Sequence, residues 1–143
     1  MSGEARIAGL EIADRLEILE LYAHYCHCID SGDGAAWAGC FTPDGYLSLP
    51  YRDQLTRGVE QLQAVGDAFP VRTDGVGRHV TVDVSVRADG DDVVGRAYLL
   101  LIHGGWDESS PVIELTGRYE DRLVKREEGW RFASRVLTAD TSC

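Results

Sequence analysis

The feature that most constrains this chain is a change of hydrophobic period near its midpoint. Before residue 70 the apolar side chains recur at helical spacing, and from His79 onward they alternate. Ile18, Leu21, Tyr22, Tyr25 and Ile29 make one stripe of a helix over about Ile12 to Ser31, stopped by Ser31-Gly32-Asp33-Gly34. Asp14 reads as its N-cap, with Glu17 three residues on as a capping-box partner. A short helix over about Ala35 to Cys40 carries Trp37. Thr42-Pro43-Asp44-Gly45 reads as a turn and Tyr46 to Leu49 as a short strand. A third helix covers about Gly58 to Ala68, with Val59, Leu62 and Val65 on one face. Then His79, Thr81, Asp83 and Ser85 alternate with Val80, Val82, Val84 and Val86, the pattern of a half-buried strand. Long strands follow over Val93 to His103, Val112 to Val124 and Trp130 to Thr138, separated by Asp89-Gly90-Asp91, Gly104-Gly105 and Glu127-Glu128-Gly129.

Helices first and hairpin-linked strands afterwards predict an α+β fold. The expectation is a cone-shaped single domain, in which a strongly curved antiparallel (mixed) sheet wraps around the N-terminal helices. The 143 residues suit one domain, 1–143, with its core over about 12–138. A cone of this size can hold a small, largely apolar ligand.

Charge and composition narrow the partners. Lys plus Arg is 14 against 24 Asp plus Glu, a formal net charge of −10, and no basic cluster stands out. A surface that neutralises phosphates needs the opposite balance, which argues against nucleic acid and anionic membrane as partners. No apolar run reaches the ~20 residues of a membrane span. The N-terminal MSGEARIAGLEIAD lacks the basic-then-apolar order of an export signal, so the chain reads as soluble and cytoplasmic. Cys26, Cys28, Cys40 and Cys143 then read as small buried side chains and a loose terminal thiol rather than a disulfide framework. His24, Cys26, His27 and Cys28 crowd one turn, but two ligands from one turn do not close a tetrahedral metal site, and no second cluster follows. There is no phosphate loop, dinucleotide fingerprint or nucleophile elbow. The expectation is chemistry without metal or other cofactor.

Histidine is the natural starting point for such chemistry, since its ordinary pKa lies near neutrality. His79 opens one long strand and His103 closes the next, both at ends where a cavity mouth would lie. On the first helix, Tyr25 lies in the apolar stripe and Asp30 just before the glycine stop, where an ionised carboxylate needs a partner. Each also has a plain structural reading: Asp30 as a cap of the next turn, Tyr25 as core, a strand-end histidine as solvated.

At this point the residues resemble a known family. YCHCIDSGDGAAW followed by CFTPDG is similar to the opening of SnoaL-like proteins, through Tyr25, Asp30, Gly32, Asp33, Phe41, Thr42 and Asp44. GRHVTVDVSVRADGD resembles the family's central strand, through Arg78, His79, Asp89, Gly90 and Asp91. TGRYEDRLVKREEGWRFASRVL resembles its closing hairpin, through Gly117, Tyr119, Asp121, Gly129, Trp130 and Arg135. The resemblance implies the nuclear transport factor 2-like cone, shared with scytalone dehydratase, ketosteroid isomerase and bile-acid dehydratase. The scytalone and bile-acid dehydratase branch is the nearest likeness. It implies Tyr25, Asp30 and His79 as a catalytic set, with His103 in the place of a second histidine. Asp83 stands where many relatives carry Asn, a departure that bears on the pocket more than on the fold.

The function expected is therefore a cofactor-independent dehydratase, isomerase or cyclase. His79 would act as base, Asp30 would fix its tautomer, and Tyr25 would donate to an oxyanion or leaving hydroxyl. Tyr46, Leu49, Tyr51, Phe69, Leu99 and Trp106 are the expected pocket wall, around a polyketide-like or steroid-like substrate. A non-catalytic binding module with the same cone is the alternative, and a structural partner subunit a third. Self-association as a homodimer or homotrimer through an apolar convex sheet face is expected from the family.

Overall fold

The computed structural model describes residues 5–74, 76–104 and 110–140. A two-residue ribbon, β1 (Arg6–Ile7) and β2 (Leu10–Glu11), leads into α1 (Ile12–Ser31). There follow α2 (Gly34–Ala38), β3 (Phe41–Leu49), a 3-10 turn (Pro50–Arg52), β4 (Gln54–Arg57) and α3 (Val59–Arg72). The second half is all strand: β5 (Arg78–Asp89), β6 (Asp92–His103), β7 (Val112–Arg126) and β8 (Gly129–Ala139). The six long strands form one mixed, curved, open sheet in the order β4-β3-β8-β7-β6-β5, with β3 and β8 parallel and the other neighbours antiparallel. The helices lie against its concave face, which is the α+β cone that the change of period predicts. Among the described residues no helix is long and apolar enough to cross a membrane.

Helix α1 buries the expected stripe, and Gly32 ends it in the left-handed region (φ 78). There the amides of Gly32 and Asp33 turn back to the carbonyls of Ile29 and Cys28. Its start differs from expectation. Glu11 is the N-cap and supplies no side-chain bond. Asp14 and Glu17 instead reach across to the β7–β8 hairpin. Asp14 accepts from the Trp130 indole N–H (3.0 Å) and from Lys125 (3.0 Å), and Glu17 accepts from the Trp130 amide (3.3 Å). The indole bond, opposed by partial desolvation and helped by Lys125, holds the Asp14 carboxyl below its usual range. A tertiary anchor thus outcompetes the local cap.

Two further boundaries move. Thr42-Pro43-Asp44-Gly45 lies inside β3 as an irregularity rather than a turn: Phe41 faces Phe132 while Tyr46 faces Ser134. Helix α3 runs through Pro70 for one more turn, and both the amide and the hydroxyl of Thr73 bond the Phe69 carbonyl at its end. Helices α2 and α3 meet at Gly34 and Gly66, where a β-carbon on Gly34 would lie 2.3 Å from the Asp67 carboxylate.

Bulges curve the sheet and exchange its faces. In β5 the register slips between Val82 and Ser85, with Asp83 at φ 54. Up to that point His79 and Thr81 face the helix, and beyond it Val84 and Val86 do. Asp83 itself is exposed. The alternation read from the sequence is thus real but changes phase once. Residues of the outer face include Tyr98 and Val82, 55% and 38% exposed, but also the exposed Arg96, Arg118, Glu120 and Arg122. That surface is mixed rather than the apolar convex face expected. Trp106 and Cys143 lie outside the described residues.

Candidate active site

The centre of the site is a carboxylate–imidazole pair that joins the C-terminal end of α1 to the start of β5. Asp30 accepts the His79 backbone N–H at 3.1 Å on each oxygen, and its Oδ1 lies 2.7 Å from His79 Nδ1. The side chains are 14% and 10% exposed. A carboxylate in this position accepts the Nδ1 proton, which leaves Nε2 as a lone-pair acceptor. Asp30 also sits near the negative end of the α1 dipole, so the surroundings stabilise positive charge developing on the ring. The ring packs on Phe69, centroid to centroid 4.8 Å.

His79 borders two concavities. One is an open groove of about 800 Å³ between α1 and the edge strand β5, which includes Cys26, Asp30 and Thr81. The other is the interior of the cone, about 100 Å³ in volume. The interior is the better candidate although it is the smaller, because only there does His79 share a wall with Tyr25 and Tyr119. Its floor is dry: Tyr25, Leu99, Leu137 and Tyr119 are 1%, 2%, 3% and 3% exposed. Its volume falls below the 150 Å³ or so of a cavity that takes up benzene. By that measure even one compact ring requires the wall to give slightly. A polycyclic ligand of the size expected from the resemblance does not fit unless the wall gives way.

The tyrosines rest on a buried ion pair. Arg135 Nε and Nη2 bond Asp121 Oδ1 and Oδ2 at 2.8 and 3.0 Å, with both side chains fully buried. The Tyr22 hydroxyl donates to the same carboxylate, in space that exists because residue 95 is glycine. The guanidinium carbon stands 3.6 Å from the Tyr119 ring centroid and 4.4 Å from that of Tyr25. Arg135 Nη1 has no partner among the described residues. Burial pushes the Tyr25 hydroxyl up to about 12, with the Arg135 charge opposing. Tyr25 therefore stays protonated at neutral pH and is a hydrogen-bond donor. Tyr119 is raised for the same reason. Burial works against the Arg135 charge, but Asp121 and the surrounding hydroxyls outweigh it and hold the guanidinium protonated.

Of the residues singled out from the sequence, Tyr25, His79, Leu49, Tyr51, Phe69 and Leu99 line the interior, and Asp30 stands behind His79. His103 does not join them. Its Nε2 is 3.9 Å from Glu114, both about one-third exposed. Tyr46 stands apart as well, with Arg57 stacked 4.5 Å over its ring. The Arg135–Asp121–Tyr22 network and the rim arginines Arg52 and Arg72 were not among the expected site residues.

The match with known proteins decides the family. A family model described as the SnoaL-like domain covers residues 10–136. The chain belongs to the SnoaL-like family. This family takes small molecules, as binders or as catalysts of cyclase, isomerase or dehydratase type. An uncharacterised Mycobacterium tuberculosis protein, Rv2910c, is 32% identical over 134 residues, covering 90% of this chain and 86% of its own. A solved M. tuberculosis structure of unknown function shares 36% identity, with a TM-score of 0.79, over 90% of this chain and 72% of that one. A Catenulispora acidiphila structure in complex with S-DNPA shares 26% identity and a TM-score of 0.78, over 91% and 96% of the two chains.

Proposed function

We propose that this SnoaL-like protein is a cofactor-independent acid–base enzyme of dehydratase, isomerase or cyclase type, acting inside the cone. The observation that carries the reading is the 2.7 Å contact of Asp30 with His79 Nδ1, at a chamber wall that His79 shares with Tyr25. His79 Nε2 takes a proton from carbon α to a carbonyl. Asp30 holds the tautomer and balances the imidazolium. Tyr25 donates to the oxyanion that forms, and the Arg135 charge beside its ring lowers the cost of that negative charge in a dry wall. For a dehydration the imidazolium then returns its proton to the departing hydroxyl. For an isomerisation it returns it to a different carbon.

Each positioned acid or base of this kind is worth about 10²- to 10⁴-fold in rate. The test is deuterium exchange from D₂O into the α-carbons of a one-ring ketone such as cyclohexanone, followed by NMR. The wild type should accelerate exchange, and His79→Ala should lose the acceleration while keeping the ketone's affinity. A wild type that binds the ketone without accelerating exchange would leave the protein a binding module, and a His79→Ala variant that exchanges as fast as the wild type would remove His79 as the base.

A further inference from the structure

The chamber wall has an electrostatic bias that the acid–base reading does not use. Its lining includes two formal cations, Arg52 and Arg72, and among the described residues no Asp or Glu. This occurs in a chain with 24 acidic residues and a net charge of −10. The cations are at the rim: both are exposed, beside Tyr51, which is 41% exposed, while the tyrosine and leucine floor is buried. Arg72 is held in place, its guanidinium 5.3 Å over the Phe69 ring and its Nη1 3.2 Å from Glu114, a carboxylate just outside the lining that offsets part of its charge and leaves Arg52 the stronger anion partner. No carboxylate among the described residues lies within ion-pair distance of Arg52. An arginine fork pre-set at the edge of an apolar cavity suits a planar or tetrahedral oxyanion.

We propose that Arg52 and Arg72 form an anion-binding collar, so that the ligand is an amphiphile: one apolar ring in the chamber and a negatively charged head group at its mouth. This rests on the chamber being the working site. The small volume supports it, since about 100 Å³ leaves any substituent beyond one ring outside among the rim residues. The rest of the acidic surface repels anions, so the collar also selects where such a ligand docks.

The experiment compares three probes that share a phenyl ring: 3-phenylpropanoate, its neutral amide, and 2-phenylethyl phosphate. Their dissociation constants are measured by NMR titration of wild type, Arg52→Gln, and Arg52→Gln with Arg72→Gln. Both anions should bind about 5-fold more tightly than the amide, as expected for a partly exposed charge-assisted pair. The difference should fall in Arg52→Gln, vanish when Arg72→Gln is added, and shrink in high salt. Whichever anion binds better names the head group. Equal affinities for acid and amide, or a preference undiminished in Arg52→Gln with Arg72→Gln, would overturn the collar and leave the catalytic reading standing. Contacts from the phenyl protons to the Leu99 and Leu137 methyls locate the ring. Their absence would remove the chamber as the ligand site, and both readings with it. No binding by any probe at millimolar concentration would overturn the one-ring amphiphile.

Discussion

Replacing Asp121 by Asn tests whether the site stands on a buried ion pair. The carboxylate holds Arg135 at 2.8 and 3.0 Å through two bonds, takes a third from Tyr22, and is fully buried with its partner. Asparagine keeps the shape but removes the charge, leaving a guanidinium uncompensated in a dry core. Loss of one partner of such a pair costs about 3–5 kcal/mol. Among the described residues the Nη1 of Arg135 has no hydrogen-bond partner, and no second carboxylate is paired with the guanidinium. For 143 residues, at about 2.1 cal/mol/K of unfolding entropy each, the loss corresponds to a fall in Tm of roughly 10–17 °C. Urea unfolding followed by circular dichroism measures it, with an unchanged m-value showing that the native state is otherwise intact. Replacing both partners, Asp121→Leu with Arg135→Met, should leave a protein more stable than either single variant, because no charge is then stranded. A loss below about 1 kcal/mol for Asp121→Asn would mean that water reaches the pair, and would refute the dry floor on which the Tyr25 argument depends.

Two more predictions concern the same wall. Gly95→Ala places a β-carbon 2.4 Å from the Tyr22 hydroxyl and 3.2 Å from Leu123, and should cost about 1–3 kcal/mol in urea unfolding. Tyr22→Phe in that background should recover part of the loss, which it would not do if the clash were elsewhere. Tyr25 is raised from its ordinary 10.0 to about 12, so its neutral form favours the fold. That stability is fully present below about pH 10 and is lost as pH rises through 12, worth about 2–3 kcal/mol across the window. Alkaline unfolding followed by tyrosinate absorbance should therefore steepen above pH 10 in the wild type and be shallower in Tyr25→Phe.

Much of this architecture was legible in the sequence because each half keeps its own period. Helix α1 ends where its glycine signal says, and the four C-terminal strands lie within a few residues of expectation. The need of Asp30 for a partner was legible too, since a carboxylate at the end of a buried helix asks for one, while His79 as that partner came from the resemblance; the 2.7 Å contact brings the two together. What escaped is explained by bulges. In β8 the buried positions step from Trp130 and Phe132 to Arg135 and Leu137, because the ladder slips by one residue between them. Strict alternation from Trp130 puts Arg135 on the outside. The signal that would have found it is on the neighbouring strand: Leu115, Gly117, Tyr119, Asp121 and Leu123 share one face, and a carboxylate among them requires a cation. His103 was misplaced for a related reason. The register slip between Leu101 and Ile102 carries the end of β6 to the rim beside Glu114. The cone's small volume depends on how side chains fill the interior, which periodicity does not report.

Asp30, 2.7 Å from Nδ1, holds the proton of His79 on that nitrogen and leaves Nε2 with its lone pair. Long-range proton–nitrogen correlation spectra of the neutral imidazole read this tautomer directly. The account predicts a protonated Nδ1 and an unprotonated Nε2 in the wild type, with the preference lost in Asp30→Ala. A wild-type ring protonated on Nε2 would place a donor where the mechanism needs a base, and would contradict the account.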